Sequence, residues 1–244
     1  YNAHAMSKSP AIRLLADQLS RNIPESRIYS DLLRRLAKGT DAGFYRLIPD
    51  LVVRVESEQD VIAILNTCGD LRIPVTFRAG GTSLSGQTIT DSVLVEIGNG
   101  FTGFTAAEDG RRVTLQCGIT GGLANARLAR YGRRIGPDPA SLNSAKIGGI
   151  VSNNASGGGF GIKYNSYNTL RGMRVILADG SLLDTRDPAS RNEFSKTHGQ
   201  MLQDLSLLAN RVKSDPSMLA KIRHKYELKN TCGYGLNSLV DFTD

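Results

Sequence analysis

No stretch of this sequence reaches the roughly 18 consecutive apolar residues of a membrane-spanning helix. Nor does it open on the basic-then-apolar pattern of a secretory signal. Cysteine is scarce: Cys68, Cys117 and Cys232 are odd in number and far apart. That excludes a disulfide framework and a CxxC metal site, and points to a reducing compartment. Each of the three reads as a small buried hydrophobe. Two phosphate motifs are missing as well. The one glycine-rich loop after an apolar run lacks the GK[ST] ending of a P-loop and the GxGxxG spacing of a Rossmann site.

What is present is an ordinary globular composition over 244 residues, 40% apolar and 22% charged, enough for one large domain or two small ones. The net charge is +7 and the pI near 9.5, a balance that favours anionic partners. The densest basic clusters are Arg111-Arg112, Arg133-Arg134 and Lys221 to Lys229. None carries a nucleic-acid motif, so they read as solvated surface and no nucleic-acid partner is expected. The opening YNAHAM reads as a tag remnant ahead of Met6.

Periodicity orders the chain. Ser9-Pro10 starts a helix with Ile12, Leu15, Ala16 and Leu19 on one face. Ser30 is the expected cap of a second, with Leu32, Leu33 and Leu36 inside it and Gly39 ending it. Residues 1–44 thus form a tag remnant and helical arm. Over 45–100 a small α/β lobe is expected: strand Leu51 to Val55, a capping box at Ser57 and Asp60, a helix with Val61, Ile64, Leu65 and Cys68 inward, and strands Val75 to Phe77 and Val93 to Ile97. Over 101–244 a second lobe follows. Glu108-Asp109-Gly110 turns one hairpin, with Val113, Leu115 and Cys117 on one face, and Asp179-Gly180 turns another. Thr120 caps a helix reaching Tyr131. Thr197 and Gln200 are the expected cap of a last clear helix, with Met201, Leu202, Leu205, Leu208, Ala209 and Val212 as its buried stripe.

Two segments exceed what turns require. RAGGTSLSGQ, residues 78 to 87, has three glycines and three hydroxyls just after a strand. Gly80 and Gly81 let backbone N–H groups face an oxyanion at close range, and Thr82, Ser83 and Ser85 add neutral donors. In IGPDPASLNSAKIGGIVSNNASGGG, residues 135 to 159, Ile147, Ile150 and Val151 would anchor a segment whose glycines admit something flat, beside the amides of Asn153 and Asn154. Together they read as a dinucleotide site outside the Rossmann class.

These motifs, with MRVILADGSLLDT and the opening GFYRLIPDLVVRVESEQDV, resemble in this order the FAD-binding (PCMH-type) domain of the FAD-linked oxidases, the vanillyl-alcohol oxidase superfamily. Within it the sequence is most similar to bacterial D-lactate and D-2-hydroxyacid dehydrogenases, over about Gly39 to Asp244. The resemblance implies an α+β fold of two lobes, a small α/β lobe and a larger one with a mainly antiparallel sheet, and FAD in the cleft between them. It implies that Ala79, Gly80, Gly81, Thr82, Ser83, Gly86 and Gln87 cradle the FAD pyrophosphate. Pro137, Asp138 and Ser141 line the cofactor path, and Gly148, Gly149, Asn153, Asn154 and Gly157 pass beside the flavin. Some relatives attach flavin to a histidine in the pyrophosphate loop. This loop has none, so FAD is expected to be non-covalent.

The implied reaction is hydride transfer from the Cα of a D-2-hydroxy acid such as D-lactate to flavin N5. The electrons then leave to a quinone, a cytochrome or an iron–sulfur acceptor. The sequence stops at LVDFTD without a GSEGTLG-like closing segment, a substrate cap or cysteine clusters. A truncated form or a fragment, inactive by itself, is therefore expected, with no metal site and no catalytic residue of its own. His4 lies in the remnant, His198 reads as a solvated cap and His224 as surface. The expected location is the cytoplasm, with a peripheral place at the inner membrane face compatible with the charge. Two other readings stand beside this one: an FAD-dependent alcohol or sugar oxidase, and a non-catalytic nucleotide-binding module.

Overall fold

The computed structural model describes residues 9–158, 161–230 and 234–242. His4, Met6 and Cys232 lie outside them. The chain divides into two compact units. The first is Tyr1–Ile135 with Ala140–Ile150 and Ile176–Ser181. The second is Gly136–Pro139 with Val151–Val175 and Leu182–Asp244.

The first unit opens with α1 (Pro10–Leu19), whose N-cap is Ser9 as the sequence predicts. Next come β1 (Ile28–Tyr29) and α2 (Leu32–Ala37). The cap of α2 is Asp31, not Ser30: its carboxylate accepts from Arg34 N–H at 3.0 Å and grips the Arg34 side chain as well, which a serine one residue earlier cannot do. Leu32, Leu33 and Leu36 lie in the helix as expected. Leu32 and Leu33 are exposed, and Arg35 is buried because it donates to Pro49 O at 2.6 Å.

The sheet follows: β2 (Leu51–Val55), α3 (Glu58–Leu71), β3 (Val75–Arg78) and β4 (Val93–Ile97). Its strand order is β1-β2-β4-β3. β4 runs parallel to β2 and to β3, and β1 pairs antiparallel with β2. LVVRV and VLVEI are near-continuous apolar runs because strands in the middle of a parallel sheet are covered on both faces. Leu51, Val52, Val53, Val55, Val93, Leu94 and Val95 are fully buried. Each such side chain contributes roughly 1.5–3 kcal/mol. Ile12, Leu15 and Leu19 of α1 join the same core as β2 and α3.

The α3 capping box forms in both directions, with Asp60 N–H on Ser57 Oγ and Ser57 N–H on Asp60 Oδ2. The first hairpin is β5 (Phe104–Ala106) with β6 (Val113–Leu115), turned at Gly110 with φ +65°. α4 (Gly121–Leu128), capped by Thr120, gives way to one 3-10 turn through Tyr131, so the expected helix is shorter by its last turn. α5 (Ile147–Ser152) is a short helix within the glycine-rich stretch.

The second unit is mostly helical: α6 (Ser166–Thr169), α7 (Pro188–Thr197), α8 (Gly199–Lys213), α9 (Pro216–Tyr226) and α10 (Ser238–Asp241). β7 (Arg174–Ile176) and β8 (Leu182–Asp184) form the second hairpin, with Gly180 at φ +80°. Thr197 and Gln200 do not cap α8. Thr197 ends α7, and its hydroxyl donates back to Glu193 O at 3.2 Å. The residue at the α8 cap position is His198, without a side-chain cap bond. Nor is it merely solvated: its ring stacks on buried Phe194, with centroids 4.1 Å apart. Of the expected α8 stripe only Val212 is buried, while Met201, Leu202, Leu205 and Leu208 are exposed. His224 is surface as expected, 86% exposed and paired with Glu227 at 3.3 Å. Among the described residues no helix is long and apolar enough to cross a membrane, and no cluster of His, Cys, Asp and Glu could hold a metal ion.

Candidate functional site

β3 ends at Arg78, and the chain passes directly into the glycine loop. Buried Arg78 turns back and donates from Nε and Nη2 to Thr88 O, at 3.0 and 2.6 Å, so the loop's two ends are tied together. Burial lowers the pKa of this guanidinium, with Glu96 and Asp41 opposing the shift. Gly81 and Gly86 sit at φ +63° and +75°, a region that favours glycine. Between Ala79 and Gln87 there is no charged side chain. None of the backbone N–H groups of Gly80, Gly81, Thr82 and Ser83 is taken up by a protein acceptor among the described residues. The Ser83 hydroxyl donates to the Gln87 side-chain carbonyl, so these two expected ligand residues hold one another.

The loop lies against residues 144–149. A Cβ on Gly80 would stand 2.5 Å from Ser144 O and 3.3 Å from Lys146 N. One on Gly149 would meet Ala79 Cβ at 3.9 Å, and one on Gly148 would meet Cys117 Cβ at 3.0 Å. Gly148 N–H donates to Cys117 O, Ile147 N–H to Ile119 O and Gly121 N–H to Ala145 O, which fixes this wall to the segment that follows β6 and to the start of α4. Ser141 begins it, its carbonyl accepting from Ser144 and Ala145 N–H at 2.8 and 2.7 Å. Lys146 reaches back to Ile97 O at 2.6 Å. Burial lowers the Lys146 pKa, and burial likewise raises the pKa of the half-buried Cys117 thiol. Sequence reasoning missed Arg78 and Lys146 as organisers, since their partners are backbone carbonyls 10 and 49 residues away.

The second unit holds Pro137, Asp138, Asn153, Asn154 and Gly157. Pro137 is buried, and a Cβ on Gly157 would stand 2.5 Å from Asp138 O, which brings these two segments together. Asn153 is exposed. Asn154 adopts φ +43°, and its side-chain oxygen accepts from Tyr167 N–H at 2.9 Å, so that oxygen is already committed. A cavity of about 300 Å³ in this unit is lined by Asn154, Tyr167, Asn168, Tyr226 and Asp241 among others. There the Tyr167 hydroxyl donates to Asp241 Oδ2 at 2.9 Å, and burial, with that carboxylate, raises the phenol's pKa. One group the sequence did not single out is Ser156. It is 4% exposed, and its Oγ has no hydrogen-bond partner among the described residues.

Comparison with known proteins bears on the family. The model of the family "FAD binding domain" matches residues 49–186. A D-2-hydroxyglutarate dehydrogenase of Pantoea ananatis is 30% identical over 156 residues, 62% of this chain and 15% of that protein. The glycolate oxidase subunit GlcD of Escherichia coli K12 is 34% identical over 142 residues, 57% of this chain and 28% of that one. A D-lactate dehydrogenase of Archaeoglobus fulgidus is 29% identical over 144 residues, 58% and 32%. The chain thus spans about a third or less of the length of these relatives. The solved structure of p-cresol methylhydroxylase with substrate bound superposes with a TM-score of 0.61 at 13% identity, over 75% of this chain and 37% of that one, a likeness of fold. With more than half its length matched by the family model, this chain belongs to the FAD binding domain family, and it shares the α+β fold of p-cresol methylhydroxylase.

Proposed function

We propose that the protein holds FAD non-covalently and serves a flavin-dependent dehydrogenase of D-2-hydroxy acids of the D-lactate type. The observation that carries this is the run of backbone N–H groups at Gly80, Gly81, Thr82 and Ser83, none of them taken up by an acceptor among the described residues. Several groups fit the cofactor. Loop 79–87 is a neutral donor set of the kind that binds a pyrophosphate without cationic side chains. Gly80 lets the loop pack directly against the Ser144 carbonyl, which holds the donors in place. Ser156 is a buried hydroxyl without a partner among the described residues. On this reading, residues 79–83 with Gly86 and Gln87 hold the pyrophosphate. Ser141, Gly148 and Gly149, with Pro137, Asp138, Asn153, Asn154 and Gly157, serve the rest of the cofactor. When bound, FAD supplies the acceptor for the hydride leaving the substrate's Cα. The chain's own part is to bind and orient it: neutral donors meet the diphosphate oxygens, and Gly149, where a Cβ would meet only Ala79 at 3.9 Å, admits close approach.

The substrate class rests on the relatives, whose names state D-2-hydroxyglutarate, glycolate and D-lactate, all 2-hydroxy acids. A quinone, a cytochrome or an iron–sulfur centre would take the electrons onward. A cytoplasmic place is proposed, and a net charge of +7 suits the inner membrane face. His198 and His224 are given no catalytic part, one being stacked on Phe194 and the other solvated.

The experiment is a visible spectrum of the purified protein after FAD loading and desalting, followed by acid precipitation. Flavin is expected in the acid supernatant, and flavin left in the pellet would contradict non-covalent binding. The substrate is tested on a protein of the relatives' full length that carries this domain and a substrate cap, by anaerobic addition of D-lactate, D-2-hydroxyglutarate or glycolate. D-lactate is expected to bleach the flavin band there fastest, and a band that no hydroxy acid bleaches would contradict the substrate class.

A further inference from the structure

Residues 41–45 lie outside the segment matched by the family model. They form the tip of a small loop closed at its base, where Leu47 N–H donates to Gly39 O at 3.0 Å and Thr40 bridges Arg46. The tip meets the glycine loop at four points. Ala42 N–H donates to Gly81 O at 3.0 Å. The Thr88 hydroxyl donates to Asp41 Oδ2 at 3.3 Å. Gly43 lies so close to Leu84 that a Cβ there would be 2.8 Å from Leu84 O. The Tyr45 ring stands 3.5 Å from where a Cβ on Gly86 would be.

Asp41 joins these contacts. Its Oδ1 accepts from Gly43 N–H at 2.8 Å and fixes the tip's own turn, while Oδ2 takes the Thr88 hydroxyl. Thr88 O in turn receives both donors of buried Arg78. The two ends of the glycine loop are therefore tied to each other through Arg78 and to the tip through Asp41.

A glycine-rich loop that binds by backbone donors must hold them convergent before the ligand arrives. Ordering a backbone residue costs conformational entropy. A site that orders its loop only on binding loses affinity by that cost, and a preorganised one does not. We propose that residues 41–45 are a brace that positions the backbone donors of residues 79–83 for FAD, with Asp41 as its positioning residue. The inference rests on the FAD reading above. Asp41 acts through Thr88 and Gly43.

The test is FAD titration, read by quenching of flavin fluorescence, on the wild-type protein and on Asp41→Ala, Thr88→Val, the double variant and Asp41→Asn. Melting of the FAD-free proteins and amide exchange over residues 79–87 are measured alongside. Asp41→Ala and Thr88→Val are each expected to weaken FAD roughly tenfold, and the double variant no more than either, since both cut one link. Asp41→Asn keeps an acceptor for Gly43 N–H and can donate to Thr88 Oγ1, so it recovers most of the affinity. Amides 80–83 exchange faster in Asp41→Ala while the melting temperature of the FAD-free protein falls by only a few degrees, roughly what 1 kcal/mol shifts at this size. Unchanged affinity in both single variants, losses that multiply in the double variant, or Asn as weak as Ala would each overturn the brace. If the wild-type protein takes up no FAD, the functional reading fails by itself. Exchange at 80–83 then judges the brace: faster in Asp41→Ala supports it, and the wild-type rate overturns it.

Discussion

At the scale of single residues, the glycines of the site separate into two kinds. Gly80 is demanded by the protein: a Cβ would sit 2.5 Å from a backbone oxygen that cannot swing away. Gly149 is not, since a Cβ there meets Ala79 Cβ at an ordinary 3.9 Å. Gly80→Ala is thus expected to cost about 1–3 kcal/mol of stability as overpacking, and FAD affinity with it. Gly149→Ala should leave the melting temperature in place and weaken only FAD. Equal melting and equal FAD binding in Gly149→Ala would show that no ligand approaches there. Ser156→Ala removes a buried hydroxyl that has no partner among the described residues and whose desolvation costs about 1–3 kcal/mol. The variant should be as stable as the wild type or more so by urea titration, and a clear loss would reveal an unseen partner. Cys68 is 2% exposed, and burial pushes its thiol up to about 11. A raised folded-state pKa gives stability that is full below the unfolded value near 8.5 and lost as pH climbs through about 11. The urea midpoint should fall across that window, and Cys68→Ala should flatten the curve there.

At the scale of elements, the helix whose start depends on side-chain chemistry was the most legible. Ser57 and Asp60 are spaced to cap α3, and they do. Asp60 also pairs with Arg27 at 2.6 Å and accepts from Glu56 N–H at 2.8 Å, neither of which spacing could reveal. Asp60→Ala is therefore expected to cost about 3 kcal/mol, more than the roughly 1 kcal/mol of Ser57→Ala, because it strands a half-buried guanidinium. Thermal melts of the two variants give the comparison, and equal losses would show that the Arg27 contact adds nothing. Elsewhere competing caps misled the reading. Asp31 displaced Ser30 by offering two oxygens to Arg34. α7 and α9 went unread although both open with Asp-Pro, at Asp187-Pro188 and Asp215-Pro216, because few apolar residues repeat along them. The α8 stripe has helical spacing, but spacing states only which residues share a face, and here Met201, Leu202, Leu205 and Leu208 share an exposed one.

At the scale of the whole molecule, periodicity reached only a small α/β unit, and the α+β fold was expected from the family resemblance carried by the glycine-rich motifs. What could not be read was the bracing, because its partners are backbone carbonyls far away in sequence. Arg78 on Thr88 O, Lys146 on Ile97 O and Ala42 on Gly81 O leave no periodic trace. Such a scaffold has a measurable consequence. A ligand that binds only the folded state stabilises it by RT ln(1 + [L]/Kd), about 2.7 kcal/mol at a hundredfold excess over Kd. For a chain of this size each kcal/mol moves the melting temperature by about 2–4 °C. FAD at that excess is therefore expected to raise it by roughly 5–10 °C. AMP, which carries a single phosphate and no diphosphate, should raise it far less, because the donors at residues 79–83 would be only partly used. Differential scanning fluorimetry with FAD, ADP, AMP and FMN separates the cases. A shift with FAD and ADP but not FMN assigns the loop to the diphosphate and its adenosine side, and equal shifts with all four would mean that the loop binds any phosphate and selects no dinucleotide.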